Sequence, residues 1–294
     1  MTKTSTATET KTGRKPAGMD AMEQLIPLED DCMFSAVMRN KDACIGFLEA
    51  LFGGRRVKDI EYVDPPQTQR FVSVLPDGKS IRLDVYFEDS DAVYDIELQR
   101  MNQGDLSRRA RLYSSYMDAG ALTKGMDYED MKDSYVIFVC KFDPFGKGRK
   151  VYTYRMLCEE DASLPLGDGR HIIFVNTKGT VGDAGPELDA LASYMNGGAS
   201  SIGVETGSPY VDRLDDYVRR LNMDEGWRRE HMKYELNMMD KYKQGERVGF
   251  SMGEAKGVAE EKRRMVKSFK EQGVSLEVIA KASSLSVDEV RKIQ

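Results

Sequence analysis

The sequence predicts an α/β fold in which a central mixed β-sheet is flanked by helices and followed by a helical extension. Residues 81–88 and 93–99 alternate between apolar and polar side chains, a pattern typical of β-strands. Residues 135–140 form a continuous apolar run, which is typical of a central strand buried on both faces. From Pro186 onward the apolar spacing is helical.

Composition limits the class of protein. The chain has 294 residues, of which 43 are Lys or Arg and 49 are Asp or Glu, giving a net charge of −6. No apolar run approaches the roughly 20 residues that a membrane helix needs, so we expect no membrane span. The acidic balance argues mildly against a nucleic-acid partner, but the local distribution of charge matters more than the total.

The cysteines indicate the compartment. There are four of them and only two histidines, and no two cysteines form a Cys-x-x-Cys pair, so a zinc site is not expected. Reduced and mostly buried thiols are the expected state, which predicts a cytoplasmic protein.

Four segments follow from these patterns. Residues 1–20 are rich in Thr, Lys and Ser and predict a disordered tail. Residues 21–180 form the α/β domain, and residues 181–244 form a helical extension. Residues 245–294 contain glycines at every fourth position, followed by two short helices joined at Ser283 and Ser284. The glycine tract is a connector or a self-association helix, and the final pair is a helix-turn-helix or a plain helical hairpin.

Capping residues predict helices before and after the predicted strands. Asp30 or Asp31 caps a helix that extends to about Phe52. Residues 57–63 predict a strand that ends at two prolines. Asp105 caps a further helix that extends to about Ala119.

The two alternating segments predict a β-hairpin with a definite register. A four-residue turn at 89–92 pairs Glu88 with Val93, and the same register places Asp84 opposite Glu97. Directly opposed side chains have Cβ atoms about 4.5–5.5 Å apart, so these two carboxylates repel each other.

A divalent cation between Asp84 and Glu97 removes that repulsion, and Mg²⁺ suits a site with one or two carboxylates and several waters. The same register places Arg82 opposite Gln99. The alternative interpretation of this polar row is a solvated face of an antiparallel hairpin.

These residues resemble the PD-(D/E)XK nuclease superfamily, whose pattern is an Asp followed by Glu-x-Lys on the next strand. More closely, the chain resembles the recombination-promoting nuclease/putative transposase family, which shows an opening Asp-x-x-Phe helix, an acid in the second strand and Glu-x-Gln in the third. Its motifs here are Asp31-Cys-Met-Phe34, Arg82-Leu-Asp84-Val, Asp95-Ile-Glu97-Leu-Gln99 and Arg109-Ala-Arg111-Leu-Tyr113.

The resemblance implies a restriction-endonuclease-like core and a DNA endonuclease that uses Mg²⁺ or Mn²⁺. By it, Asp84 and Glu97 are metal ligands with the Leu98 carbonyl as a third, and Gln99 occupies the usual Lys position and orients water. Asp95 shares the face of Glu97 and is an auxiliary acid. The alternative function is an inactive nuclease fold that binds DNA or protein.

The remaining site candidates are open to two interpretations each. Asp31 is an auxiliary acid of the site or a helix N-cap. Arg109 and Tyr113, four apart on one helix face, contact the phosphate backbone or brace Glu97, and Tyr113 is equally suited to the core. The DNA-facing patch is predicted to comprise Arg100, Arg108, Arg109, Arg111 and Tyr113. Self-association, if present, is expected through the C-terminal helices.

Overall fold

The computed structural model describes residues 25–57, 60–62, 70–72, 81–121 and 125–293. The chain divides into two compact units, Met1–Trp227 and Arg228–Gln294. The predicted tail at residues 1–20 and part of the predicted strand at 57–63 lie outside the described residues. The predicted fold class is confirmed, because the first unit contains a mixed sheet flanked by helices and a helical region follows it.

The described strands form a large mixed sheet and a separate two-stranded ribbon. They are β1 (Glu61–Tyr62), β2 (Arg70–Val72), β3 (Ile81–Leu83), β4 (Val85–Glu88), β5 (Ala92–Gln99), β6 (Asp133–Cys140), β7 (Val151–Tyr154) and β8 (Arg170–Asn176). The large sheet has the order β1-β4-β5-β6-β8-β7, and β2 pairs with β3. Strands β5, β6 and β8 run parallel, whereas β1, β4 and β7 pair antiparallel with their neighbours.

The described α-helices are α1 (Asp31–Met38), α2 (Lys41–Leu51), α3 (Leu106–Ala121), α4 (Pro186–Gly197), α5 (Pro209–Met223), α6 (Glu225–Glu271), α7 (Leu276–Ser283) and α8 (Val287–Lys292). The single helix predicted from Asp30 to about Phe52 is wrong. The helix is interrupted at Arg39 and Asn40. The Asn40 side chain accepts a hydrogen bond from the Ala43 N–H and thereby caps a second helix.

The predicted hairpin register is confirmed where β4 pairs with β5. Glu88 lies opposite Val93, and the ladder continues to the pair Val85 and Ile96. The predicted pairing of Arg82 with Gln99 is wrong, because the chain bends at Asp84 and the residues before it pair with β2. The predicted strand at 81–88 is therefore two strands, and Asp84 lies at the junction between them.

Helices cover both faces of the large sheet. Helices α1, α2, α4 and α5 pack on one face, where Ile96 and Leu98 of β5 point. Helix α3 packs on the other face through Ala110 and Tyr113, against Phe138 of β6. Since side chains alternate along a strand, Asp95, Glu97 and Gln99 point toward α3. The polar row of β5 is thus enclosed between the sheet and a helix.

Two further findings concern the cysteines and the helices. All four cysteines are free thiols, and Cys44 and Cys140 are buried. None of the helices in the described part of the chain combines the length and the apolar character that crossing a bilayer requires.

The second unit consists mainly of one long helix and a short helical pair. Helix α6 begins at Glu225 in the first unit and includes all four regularly spaced glycines, whose Cβ positions meet nothing within 4 Å. A small core of Val266, Ile279, Ala280 and Val290 joins the end of α6 to α7 and α8. The two short C-terminal helices are confirmed, and Ser284 between them adopts a left-handed conformation with φ of 55°.

Helices α2 and α5 approach each other closely at Gly46, and this contact leads to a prediction about the stability of the first unit. A Cβ atom at Gly46 would collide with the ring of Tyr210, which is buried in the core. We expect Gly46→Val to destabilise the first unit by about 1–3 kcal/mol, because overpacking forces neighbouring groups to shift. Urea unfolding followed by the fluorescence of Trp227, the single tryptophan, measures this.

The control is Ala119→Val in α3. It adds a valine side chain to a helix at an exposed position, outside the core. Equal destabilisation by the two variants would contradict the proposed collision at Gly46.

Candidate active site

Three polar side chains of β5 are buried beneath α3. Asp95, Glu97 and Gln99 are 0%, 2% and 8% exposed, respectively. A solvated polar face, the alternative interpretation of this row, is therefore excluded by the structure. Burying carboxylates away from water is costly unless other groups compensate for their charge, so the groups around them identify what this site can do.

Asp84 lies beside Glu97, as the hairpin register predicted. One step beyond the pair Val85 and Ile96, the Asp84 N–H donates a hydrogen bond to Glu97 Oε1 over 3.0 Å. Asp84 is half-buried. The bend that separates β3 from β4 places its backbone against the carboxylate of the neighbouring strand.

The Leu98 carbonyl points to the edge of β5 on which β4 and Asp84 lie. The Gln99 carbonyl accepts a hydrogen bond from the Lys141 N–H over 2.9 Å, so it points toward β6. Successive carbonyls of a strand point in opposite directions, and the Leu98 carbonyl therefore points toward the β4 side. On that side the β4–β5 ladder ends at Val85.

Asp95 is the least compensated acid of the site. Its two carboxylate oxygens are buried and have no hydrogen-bond partner within the described ranges. Burial raises the pKa of Asp95 well above its ordinary value and the nearby Asp84 raises it further, whereas Arg109 opposes the shift. The metal-free site therefore favours a proton on Asp95.

Glu97 is shifted in the same direction for similar reasons. Burial, followed by the charges of Asp95 and Asp84, raises the pKa of Glu97 well above its ordinary value. The hydrogen bond from the Asp84 N–H and the guanidinium of Arg109 act against this shift. Asp84, Asp95 and Glu97 thus form one electrostatically linked acidic cluster with too little positive charge around it.

Arg109 of α3 supplies the positive charge that the cluster does have. Its Nη1 donates to Gln99 Oε1 over 2.8 Å, and its Nη2 lies 3.6 Å from Glu97 Oε2. Nη2 also donates to the Tyr113 hydroxyl over 3.1 Å. The guanidinium lies over the rings of Tyr113 and Phe138, at 5.5 Å and 5.8 Å from their centroids. These contacts fix Arg109 between α3 and the carboxylates.

The arginine contact defines how Gln99 can act. Because Gln99 Oε1 accepts from Arg109, the amide N–H groups are the hydrogen-bonding groups that Gln99 offers to other partners. Sequence analysis identified both residues but missed their contact, because the connection at residues 100–105 decides which turn of α3 reaches the strand. The spacing of Arg109 and Tyr113 was the available signal.

Lys141 does not replace the absent strand lysine. It follows Cys140, which lies beside Gln99 in the parallel ladder. Its Nζ, however, forms an ion pair with Glu29 at 2.9 Å and donates to the Met195 carbonyl over 2.8 Å, on the opposite side of the sheet from α3. Arg109 is therefore the cation that contacts the strand acids.

Tyr113 and Asp31 lie in different settings. The Tyr113 ring is buried against Phe138, and burial together with Glu97 raises the pKa of its hydroxyl to about 12, so it remains protonated at neutral pH. Asp30 provides the cap of α1, accepting from the Cys32 and Met33 N–H groups at 3.0 Å. Asp31 is exposed in the first turn, and its auxiliary role stays a prediction.

The other predicted DNA-facing arginines lie on the surface. Arg100, which follows β5, is exposed, as are Arg108 and Arg111 on the outer side of α3. Of the predicted patch, only Arg109 and Tyr113 turn inward to the acidic cluster.

The residues of this cluster fit a divalent cation. Mg²⁺ and Mn²⁺ prefer oxygen ligands, and Mg²⁺ typically takes one or two carboxylates and retains several waters. The Glu97 carboxylate lies against the Asp84 backbone, and the charge of Asp84 raises the pKa of both Asp95 and Glu97, so the Asp84 carboxylate is near these acids. Burial is the first cause of the raised pKa values of Asp95 and Glu97, and the Asp95 oxygens have no hydrogen-bond partner among the described residues, so a cation would find uncompensated oxygens here.

Comparison with known proteins identifies a family. The sequence profile described as PD-(D/E)XK nuclease family transposase matches residues 32–183. Comparisons with curated proteins and with solved structures gave no significant match. The matched region contains the acidic cluster, Gln99 and Arg109.

The acidic cluster predicts an unusual pH dependence of stability. A carboxyl group whose pKa is higher in the folded state than in the unfolded state binds its proton more tightly when folded. Stability therefore falls as pH rises from the ordinary carboxyl range through the raised folded pKa values. We expect this for the metal-free protein, and a weaker dependence for Asp95→Asn, which removes one shifted group.

Urea unfolding in EDTA between about pH 5 and about pH 8 measures the effect. The matched control is Asp91→Asn, which neutralises an exposed acid in the adjoining turn. The same pH dependence in the parent, Asp95→Asn and Asp91→Asn proteins would contradict the burial of an uncompensated Asp95.

Proposed function

We infer that this chain, which belongs to the PD-(D/E)XK nuclease family transposases, is a metal-dependent endonuclease that hydrolyses phosphodiester bonds of DNA during transposition or recombination. The observation that supports this most directly is the acidic pair of half-buried Asp84 and buried Glu97, with Arg109 held against Glu97 and Gln99. Buried acids with raised pKa values cluster at functional sites.

Asp84, Glu97 and the Leu98 carbonyl would hold the cation, with Mg²⁺ as the first choice and Mn²⁺ as a substitute. When bound, the cation lowers the pKa of a water molecule and stabilises negative charge on a phosphate oxygen. Glu97 is suited to this task because the described residues around it compensate its charge only in part.

Asp95 acts on water in the site. Its two oxygens are hydrogen-bond acceptors without a protein donor among the described residues, and they lie on the same strand face as Glu97. Water molecules of the ion's hydration shell are the donors that fit these oxygens. Asp95 is thus proposed as an auxiliary acid that orients water.

Arg109 provides fixed positive charge beside the reacting phosphate. An arginine stays protonated in proteins, so Arg109 cannot serve as a general base. It can stabilise the negative charge that develops on phosphate oxygens, since a fixed donor needs no reorganisation during the reaction. The Gln99 Oε1 contact holds the guanidinium in place, and the Gln99 amide N–H groups orient water. Gln99 is therefore primarily a positioning residue for Arg109.

Removal of either proposed ligand tests the activity. We expect Asp84→Ala and Glu97→Ala to reduce Mg²⁺-dependent cleavage of supercoiled plasmid to background, because each removes an oxygen ligand. Asp91→Ala is the control, since Asp91 is an exposed acid on the turn of the same hairpin. Parent-level cutting by both ligand variants, with folding confirmed by circular dichroism, would rule out this site.

Arg109 is tested separately. We expect Arg109→Ala to lower kcat by about 10²–10³-fold, the cost of losing one fixed donor, while Mn²⁺ binding measured by calorimetry persists. Arg109→Lys retains part of the activity. Gln99→Ala alone lowers kcat less than Arg109→Ala does. Added to Arg109→Ala, it lowers kcat little further, because Gln99 acts through the arginine.

The matched control for Arg109 is Arg213→Ala, which removes an exposed arginine of α5. Full additivity of the Gln99 and Arg109 substitutions in kcat would contradict the positioning role. Loss of Mn²⁺ binding in Arg109→Ala would show instead that the arginine maintains the ligand geometry.

A second candidate function is a nuclease fold that binds DNA without cutting it. The neutral Gln99 at the strand position favours it, because no lysine amine is present there to activate water. Calorimetry separates the two functions. Retained DNA binding without Mg²⁺ or Mn²⁺ binding would favour the binding module.

The C-terminal helices remain a proposed self-association region. Apolar side chains along α6, including Met239, Tyr242 and Phe250, are more than half exposed. A role for α7 and α8 in reading DNA is less well supported. The first turn of α8 bears Asp288 and Glu289, which would repel phosphates.

A further inference from the structure

One edge of the large sheet collects the loops next to the acidic cluster. Parallel strands β5, β6 and β8 end at Gln99, Cys140 and Asn176, which lie side by side in the ladder. The loops that follow, at residues 100–105, 141–150 and 177–185, therefore meet at this carboxyl edge. Glu97 and Arg109 lie just inside it.

The middle loop is held in a fixed shape. The Asp143 carboxylate accepts hydrogen bonds from the Phe145 N–H at 3.1 Å, the Gly148 N–H at 2.6 Å and the Tyr152 hydroxyl at 2.7 Å. The Tyr152 oxygen in turn accepts from the Lys147 and Arg149 N–H groups, each at 3.2 Å. The backbone that bears Lys147 and Arg149 is thus anchored on both sides.

The loops and the first turn of α3 present exposed cations, which we call the carboxyl-edge rim. Its members are Arg100, Arg108, Lys147, Arg149 and Lys178, all exposed. Across the described ranges, none of the five takes part in an ion pair. By contrast, Lys141 and Lys150 of the same loop pair with Glu29 and Asp189. The fold neutralises the inward lysines and leaves the outward cations available.

The opposite edge of the sheet has the reverse charge. Acids surround the amino ends of β5, β6 and β8 and the turn of the hairpin. They are Glu88, Asp89, Asp91, Asp127, Glu129, Asp130, Asp133 and Asp168. Lys132 and Arg170 lie with these acids, and Asp105, Asp143 and Asp183 lie in the loops of the carboxyl edge. Among the described residues the acids still outnumber the cations at the amino edge and the cations outnumber the acids at the carboxyl edge, so the edge nearest Glu97 is the basic one.

We propose that the carboxyl-edge rim binds the phosphodiester backbone of the DNA that enters the site, a proposal that rests on the endonuclease function above. Strands β5, β6, β8 and β7 span three inter-strand steps, or roughly 14 Å at about 4.8 Å each. Phosphates of one strand recur about every 3.4 Å along the duplex axis, so this width spans about four nucleotide steps. Lys147 and Arg149 extend the contact beyond Arg100 and Arg108, and phosphate contacts of this kind position DNA without reading its sequence.

The salt dependence of DNA binding tests the proposal. The full chain is titrated in EDTA with a fluorescein-labelled duplex of about 30 base pairs at several salt concentrations, so that no cleavage occurs. We expect Lys147→Gln/Arg149→Gln to bind more weakly than the parent. Its slope of log K against log salt should be smaller in magnitude by about 1.8, because each lost phosphate contact contributes about 0.9.

The matched control is Arg155→Gln/Arg213→Gln, which removes the same charge from exposed positions after β7 and on α5. The control should keep the parent slope. The proposal is overturned if the rim variant keeps the parent slope, if the control loses as much, or if the parent does not bind the duplex. The glutamines retain much of each side chain, and equal circular dichroism and melting temperature confirm folding.

The two proposals can fail independently. If the parent protein binds the duplex through the rim but does not cut it with Mg²⁺, the proposed endonuclease function is contradicted and the proposed role of the rim stands. If the parent cuts DNA and the rim variant binds DNA with an unchanged salt slope, the proposed role of the rim is contradicted and the endonuclease function stands.

Discussion

The burial of carboxylates on β5 beneath α3 is the constraint on which the rest of the first unit depends. Removing an ionised carboxylate from water costs several kcal/mol, and here Asp95 and Glu97 are both almost completely buried. Among the described residues, Arg109 is the cation that contacts Glu97 directly, so the described charges around the two acids do not balance. The apolar cores on both faces of the sheet must stabilise a fold that retains this imbalance.

The geometry around the acids explains why they are retained where they are. The bend at Asp84 releases β3 from the hairpin and brings the Asp84 backbone to Glu97. Helix α3 then closes over the strand and places Arg109 between Gln99 and Glu97. A helix rotated by one residue would not place Arg109 against Gln99 and Glu97. The arrangement is consistent with a protein that sacrifices stability for a pre-formed site.

Much of the hairpin could be predicted from sequence, because alternation and turn length determine strand register. The opposition of Asp84 and Glu97 follows from that register alone. The bend at Asp84 could not be predicted, since it depends on pairing between β3 and a distant segment at Arg70–Val72. The contact between Gln99 and Arg109 was missed for a related reason: the conformation of residues 100–105 decides how α3 lies over the strand. The basic edge was predicted in part: Arg100 and Arg108 belong to the predicted DNA-facing patch, whereas Lys147, Arg149 and Lys178 come from loops that are distant in sequence.

The most direct test of the central claim is crystallographic. Crystals of the full chain soaked in Mn²⁺ and measured near the manganese absorption edge would locate the ion by anomalous scattering. The account predicts an anomalous peak between the carboxylates of Asp84 and Glu97, absent from crystals of Glu97→Ala. Well-ordered density for both side chains without such a peak, or a peak that persists unchanged in the variant, would contradict it.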